Sequence, residues 1–186
     1  EHGRYRLDAA WIFAAQTMLL AQITLAAVRW QVIANECGAK LTISQSLRFT
    51  LIGAFFSQTL PSTIGGDAAR MWLLARAAGH SKPAIYSVVV DRVAGLIWLA
   101  VFVLVCLPWS LRLIENPVGR ATLVLIGAGG VVVPFVLFAL TRAGRKTFAR
   151  WRVTRHLAEI SAIAWNILTS RRAGGSIAAM SIVIHL

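Results

Sequence analysis

The stretch SQTLPSTIGGDAARMWLLARAAG, residues 57–79, decides how the rest of the chain is organised. Within ten residues it holds a proline, two adjacent glycines, a carboxylate and an arginine, and apolar segments flank it at residues 47–56 and 71–75. Neither arm is long enough to cross a bilayer, which takes roughly 20 apolar residues. We therefore expect a helix that breaks at residues 61–66 and turns back as a re-entrant element. A broken helix that spans the membrane is the alternative.

The break is a candidate site. Non-helical backbone at membrane depth survives only where it is buried in protein or lines a polar cavity. Gly65 and Gly66 permit positive φ angles and close approach to the backbone, and Asp67 is then placed to cap a helix beginning at Ala68. Such a helix start favours an anion such as phosphate. Arg70, one turn later, is expected to bind either Asp67 or that phosphate. A turn stabilised only by the Asp67–Arg70 pair is the alternative.

The composition indicates an integral membrane protein built from helices. Hydrophobic residues make up 58% of the chain and charged residues only 14%, and the mean hydropathy is +0.69, which excludes an ordinary soluble domain. The net charge of +12 does not indicate nucleic-acid binding, because the basic residues lie between apolar segments. They are typical of topology signals and lipid-headgroup contacts.

Neither cysteine nor histidine indicates a metal site or a cofactor. Cys37 and Cys106 have no CxxC spacing, so no disulfide or zinc site is predicted. The four histidines, His2, His80, His156 and His185, show no HxxxH or HExxH spacing.

Four membrane spans are predicted from the apolar runs. They cover about residues 9–28, 85–107, 121–140 and 177–186. Arg29 and Trp30 at the end of the first span are expected to anchor it at the membrane interface. Glycines in the third span, at 127, 129 and 130, predict close helix packing. Because the sequence opens without methionine and stops inside an apolar run, we expect it to be a fragment of a longer membrane protein.

Residues 141–176 are the most basic part of the chain and are predicted to be cytoplasmic by the positive-inside rule. Apolar residues recur at helical spacing within this segment, which predicts an amphipathic helix on the inner membrane surface. Residues 76–82 are then also inside. A re-entrant central element would place residues 29–48 inside as well, whereas a spanning element would place them outside.

Asp91 and Arg92 lie about 12 Å beyond Pro83 along their helix at 1.5 Å per residue, well inside the membrane. Adjacent helical residues point about 100° apart, so the two cannot pair well with each other. We expect Asp91 to pair with Arg70 and Arg92 to pair with Asp67. A network that clamps helices together and a substrate role are compatible interpretations.

Two segments, FFSQTLPSTIGGDAARMWLLARAAG and SVVVDRVAGL at residues 55–79 and 87–96, resemble the transmembrane (flippase) domain of the lysylphosphatidylglycerol synthetase family. The family pattern is a proline and Gly-Gly-Asp followed by an arginine, then an acidic residue and an arginine in the next span. This sequence matches it at Pro61, Gly65, Gly66, Asp67, Arg70, Asp91 and Arg92. Ser57 stands where the family often has asparagine.

The resemblance implies that the chain moves an anionic or aminoacylated phospholipid between leaflets, whereas a separate soluble domain, not contained in these residues, performs aminoacyl transfer. It also implies further spans before Glu1 and after Leu186. Some relatives are described as acting on dolichyl-phosphate sugars. A membrane glycosyltransferase with Asp67 or Asp91 as catalytic base is therefore an alternative, and a structural membrane subunit is another.

A lipid translocase in the inner, or cytoplasmic, membrane is the leading hypothesis, with transport favoured over enzymatic activity. Its expected partners are a phospholipid or lipid-linked substrate and the membrane, with no nucleic acid, and a homo-oligomer is left open. The expected substrate-binding residues are Ser62, Gly65, Gly66, Asp67, Arg70, Asp91 and Arg92.

Overall fold

The computed structural model describes residues 9–59, 64–113, 116–143 and 152–185, and the regular structure in these ranges is entirely helical. The helices are α1 (Ala9–Glu36), α2 (Ile43–Thr59), α3 (Ile64–Ala78), α4 (Ser81–Leu113), α5 (Pro117–Ala143), α6 (Arg152–Thr169) and α7 (Ala173–His185). The prediction of an all-α fold is confirmed.

Among the described residues, two helices are long and apolar enough to cross a membrane. They are α1 over its whole length and α4 over Ser81–Trp109, and they contain the predicted spans 9–28 and 85–107. Both helices extend beyond the predicted limits. The second predicted span stops at residue 107, whereas α4 continues through Pro108 to Leu113, and this proline removes one backbone donor without ending the helix. Residues 29–36, beyond the end of the first predicted span, are also helical.

Helices α2 and α3 form an antiparallel hairpin. Gly53 of α2 lies against Gly66 and Arg70 of α3, and one groove brings Arg48 near the start of α2 together with Arg76 near the end of α3. The residues before α2 and after α3 therefore lie at the same end of the helix bundle. This is the chain direction that a re-entrant element requires.

Glycine determines how closely the two helices of the hairpin approach. A Cβ atom on Gly53 would lie 3.0 Å from the carbonyl oxygen of Gly66, and one on Gly66 would collide with the Ser57 hydroxyl and the Gly53 carbonyl. The φ angles of Gly65 and Gly66 are not positive. Among the described residues the left-handed glycines are Gly38 (86°) and Gly79 (72°). They follow α1 and α3, which is a common way for a helix to end.

Close packing through glycine also joins α4 to α5. A Cβ atom on Gly130 would lie 2.7 Å from Cβ of Ala100, and one on Gly127 would lie 3.0 Å from Cδ2 of Leu104. These contacts confirm the packing role predicted for the glycines at 127 and 130. Gly129 has open space at its Cβ position.

The buried apolar side chains of the described residues form two clusters, and both include residues of α1 and α4. One cluster lies among α1, α2, α3 and α4 and contains Trp30, Phe49, Leu74 and Val88. The other lies among α1, α4, α6 and α7 and contains Ile33, Val90, Ala94, Ala164, Ile167, Ala173 and Ile177. Helix α1 therefore contributes to both clusters near its C-terminal end.

Helix α6 is the amphipathic helix expected within residues 141–176. Ala164 and Ile167 on its apolar face are buried against the second cluster, whereas Leu157 is 54% exposed. The apolar face is thus covered partly by protein. The charged residues Arg155 and Glu159 lie on its exposed side.

A polar contact fastens the start of α6 to the start of α4. The Tyr86 hydroxyl donates to Oε2 of Glu159 at 2.7 Å and lies 2.7 Å from Nδ1 of His156. The hydrogen bond from Tyr86, followed by the charges of His156, Lys82 and Arg155, lowers the pKa of Glu159. Because the pKa of Glu159 is lowered, the contact contributes its full stabilisation at pH values above the ordinary carboxyl pKa of about 4.3. This stabilisation is lost as the pH falls through the lowered pKa.

Replacing Tyr86 with phenylalanine is expected to raise the pKa of Glu159 toward its ordinary value and to increase amide hydrogen exchange in the first turns of α6. Both effects follow from removal of the phenolic donor. NMR titration of the labelled carboxyl and hydrogen exchange measure them. In a Glu159→Gln background the same Tyr86 substitution is expected to change exchange much less. An unchanged Glu159 pKa in Tyr86→Phe would contradict the assigned cause.

Candidate functional site

Five charged side chains from three helices meet inside the bundle. Arg29 comes from α1, Asp67 and Arg70 come from α3, and Asp91 and Arg92 come from α4. We call these five residues the charge cluster. Four of the five residues were predicted from the sequence. The charge cluster brings together the two segments that carry the family resemblance.

Asp91 lies at the centre of the charge cluster and is only 4% exposed. Its Oδ1 accepts a hydrogen bond from Nε of Arg29 at 3.0 Å, and its Oδ2 accepts one from Nη2 of Arg70 at 3.1 Å. The predicted Asp91–Arg70 pair is confirmed. Because the carboxylate binds guanidinium groups from two other helices, it ties α1, α3 and α4 together.

Asp67 binds Arg92 of α4. Nε and Nη2 of Arg92 each donate to a different oxygen of Asp67 at 2.7 Å, and Nη1 of Arg70 lies 3.6 Å from Oδ1 of the same carboxylate. The predicted Arg92–Asp67 pair is therefore confirmed. It has the parallel two-bond geometry with which arginine also binds phosphate.

Arg70 is enclosed by the α2–α3 hairpin and α1. Its guanidinium carbon lies 4.1 Å from the centre of the Trp30 ring, a cation–π contact, and its aliphatic stem packs against Gly53. Arg70 is 8% exposed, and its Nε has no hydrogen-bond partner among the described residues. Oγ1 of Thr50 in α2 is a second buried polar atom that has no hydrogen-bond partner among the described residues. Donor capacity is therefore left over on an arginine already bound to two carboxylates.

The interface anchor predicted for Arg29 and Trp30 is wrong, because α1 continues to Glu36 and carries both residues into the bundle. Trp30 is fully buried, and its Nε1 donates to Oγ of Ser87 at 3.3 Å. Arg29 is 8% exposed. Besides Asp91 it donates through Nη1 to Oγ of Ser181 on α7 at 3.0 Å. The apolar residues Val32 and Ile33 beyond the pair were the sequence signal that the helix continues.

The expected helix start at Ala68 is also wrong. Helix α3 begins at Ile64, so Asp67 stands in its first turn rather than at its cap. Gly65 and Gly66 belong to the helix, with Gly65 half-buried and Gly66 buried against α2. Ser62 lies outside the described residues.

The charge cluster carries three guanidinium groups against two carboxylates. Four of its members are largely buried, with side-chain exposures between 6% and 17%, whereas the side chain of Arg92 is 57% exposed. Gly95, one turn after Arg92, lies beside Arg29, whose Nη2 would be at an ordinary contact distance of 3.5 Å from a Cβ atom there. The arrangement favours an anion, and Arg92 is its accessible cation.

Of three comparisons with known proteins, the comparison with protein-family models gave a match. Comparison with the curated proteins and with the solved structures gave no match. The family model described as the lysylphosphatidylglycerol synthase TM region matches residues 5–186. Membership of this family points to a membrane protein of lipid metabolism or transport. The chain therefore belongs to the lysylphosphatidylglycerol synthase TM region family.

Proposed function

We propose that this chain is a lipid-translocating membrane domain that binds the phosphate of an anionic or aminoacylated phospholipid at the charge cluster. The observation that carries the proposal is the excess of one guanidinium over the carboxylates inside a bundle of apolar helices. An unbalanced charge at membrane depth is costly and typically functional. A phosphodiester supplies the missing negative charge.

Arg92 and Asp67 are the pair at which the lipid phosphate would bind. The Arg92 side chain is the exposed member of the charge cluster, and its two donors already hold an anionic group in the geometry suited to phosphate. Exchange of the Asp67 carboxylate for a lipid phosphate would free Asp67 to attract a cationic headgroup amine. Arg70, at 3.6 Å from Asp67, is the second cation within reach.

The membrane arrangement that fits this proposal is multi-pass with a re-entrant α2–α3 hairpin. The 17 residues of α2 and the 15 residues of α3 extend roughly 26 and 22 Å at 1.5 Å per residue, less than the bilayer core of about 30 Å. The end of the bundle that holds the residues before α2 and after α3 would face the cytoplasm by the positive-inside rule. Residues 121–140 and 177–186 would then complete the spans in an inner membrane.

The surroundings of Asp91 favour a structural role for this residue within the same domain. Each of its oxygens accepts a hydrogen bond from an arginine, Arg29 or Arg70, and the residue is buried, which shields it from a lipid headgroup. A protein in which the whole charge cluster only clamps helices is therefore the second candidate. The Arg92–Asp67 pair distinguishes the two candidates.

Replacing Arg92 with glutamine is expected to slow lipid exchange while leaving the fold intact. A charge-assisted hydrogen bond contributes about 1.5–3 kcal/mol, which corresponds to a loss of roughly 10- to 100-fold. Arg92→Lys is expected to recover little of it, because an ammonium cannot form the two-bond fork. The measurement is the transbilayer exchange of fluorescent phosphatidylglycerol in vesicles that contain the full-length protein.

Arg171→Gln is the matched control, since it removes an exposed arginine outside the charge cluster. Its exchange rate is expected to stay close to that of the unmodified protein. Wild-type exchange by a stably folded Arg92→Gln protein would overturn the phosphate-binding proposal and leave the helix-clamping candidate.

A further inference from the structure

A second basic site lies on the hairpin, away from the charge cluster. A groove of about 360 Å³ runs between α2 and α3, near the start of α2 and the end of α3. We call it the hairpin groove. It is lined by Arg48, Phe49, Ile52, Leu73, Arg76 and Ala77. It shares no residue with the charge cluster, and Arg76 lies six residues, or about 9 Å, beyond Arg70 along α3.

The hairpin groove is positively charged on both walls. Arg48 from α2 and Arg76 from α3 are both exposed, and the lining contains no acidic residue. Among the described residues neither guanidinium forms an ion pair with a carboxylate. Two like charges on facing helices repel each other, and the repulsion is relieved by an anion bound between them.

The floor of the hairpin groove is apolar, which a free inorganic anion would not require. Phe49, Ile52 and Leu73 line it beside the two arginines. Trp72 is 60% exposed next to it, and the Arg76 guanidinium lies 5.6 Å from the centre of the Trp72 ring. An exposed tryptophan beside arginine is typical of the boundary between acyl chains and headgroups.

The two arginines and the apolar floor of the hairpin groove together fit an amphiphile with an anionic headgroup. We propose that the hairpin groove binds an anionic phospholipid, with Arg48 and Arg76 holding the phosphate and Phe49, Ile52 and Leu73 contacting the first part of the acyl chains. Other basic residues with described side chains, Lys40 and Lys82, belong to the segments next to α2 and α3 at this end of the hairpin. The site is independent of lipid translocation.

The test measures which lipid lies beside the hairpin groove. The full-length protein, with Cys37, Cys106 and every cysteine outside residues 1–186 replaced by serine, receives a single cysteine through Ala77→Cys, which is labelled with a fluorophore. Its quenching is compared in vesicles that contain nitroxide-labelled phosphatidylglycerol or nitroxide-labelled phosphatidylcholine. Phosphatidylglycerol is expected to quench at the lower mole fraction. Equal quenching by the two lipids would overturn the proposal.

Arg48→Gln combined with Arg76→Gln is expected to remove the preference for phosphatidylglycerol, at roughly fivefold for each arginine. The matched control is Arg171→Gln combined with Arg172→Gln, which removes the same charge from two exposed arginines between α6 and α7 and is expected to keep the preference. If the two glutamine substitutions lower the helicity of the protein, Arg48→Lys combined with Arg76→Lys is used instead. Its preference for phosphatidylglycerol is expected to lie between those of the unmodified protein and the glutamine variant. A preference unchanged in the glutamine pair would contradict the assignment.

Two further outcomes separate the hairpin groove from other sites. Inorganic phosphate is expected not to relieve the quenching, and relief at millimolar phosphate would mean a site for free anions rather than lipid. Arg92→Gln is expected to retain the preference at the hairpin groove even where it slows lipid exchange. Loss of the preference in a folded Arg92→Gln protein would overturn the independence of the two sites.

Discussion

Asp91→Asn is expected to destabilise the protein more than any other single neutralising substitution in the charge cluster. It leaves Arg29 and Arg70, both 8% exposed, without their common carboxylate. Breaking a buried ion pair costs about 3–5 kcal/mol because an uncompensated charge remains. Arg70→Gln is expected to cost less, since Asp91 keeps Arg29. The free energy of unfolding in mixed micelles measures both.

Combining Asp91→Asn with Arg70→Gln is expected to restore only part of the stability, because Arg29 stays buried without a carboxylate. If Asp91 paired with Arg70 alone, as expected from the sequence, the double variant would recover all of the lost stability. Adding Arg29→Gln should recover more, with Ser181 still able to bind the new amide. Full recovery in the double variant would mean that the bond between Arg29 and Asp91 does not contribute to stability.

The sequence could predict the pairs between α3 and α4 because the geometry left few choices. Asp91 and Arg92 point to different sides of α4, and Asp67 and Arg70 were the other charges at comparable depth. Both pairs are present in the structure. Their prediction needed only helical periodicity and the cost of an unpaired charge in a membrane.

Arg29 could not be placed by the same reasoning. An arginine followed by tryptophan at the end of an apolar run has the composition of an interface anchor, and its true environment depends on contacts far away in the sequence. Asp91 lies 62 residues and Ser181 lies 152 residues from it. Tertiary packing, rather than local pattern, decides whether such a residue faces the membrane surface or a buried carboxylate.

The glycine pair shows a second way in which packing overrides local chemistry. Gly65 and Gly66 have the composition of a left-handed turn before a helix cap, yet both lie inside α3 with φ angles that are not positive. The property of glycine that matters at Gly66 is its lack of a side chain. Because the contact is made with Gly53 and Ser57 of another helix, local sequence does not indicate it.

Gly66→Ala is therefore expected to be strongly destabilising, although alanine is the better helix former by about 1 kcal/mol. The added methyl group would collide with the carbonyl oxygen of Gly53 and lie 3.1 Å from its carbonyl carbon, and backbone atoms cannot rotate away as a side chain does. Overpacking of this kind costs about 1–3 kcal/mol. Separation of α2 from α3 would also displace Arg70, which packs on the same face of Gly53.

Two variants isolate the cause. Gly175→Ala in α7 adds the same methyl group where no atom lies within 4 Å of the Cβ position, so it is expected to leave the unfolding free energy unchanged or to raise it. Adding Ser57→Ala to Gly66→Ala removes the hydroxyl contact but leaves the Gly53 carbonyl in place, and is expected to restore little. Gly66→Ala as stable as Gly175→Ala would show that α2 and α3 do not approach as closely as their glycines permit, and the enclosure of Arg70 by the hairpin would then have to be abandoned.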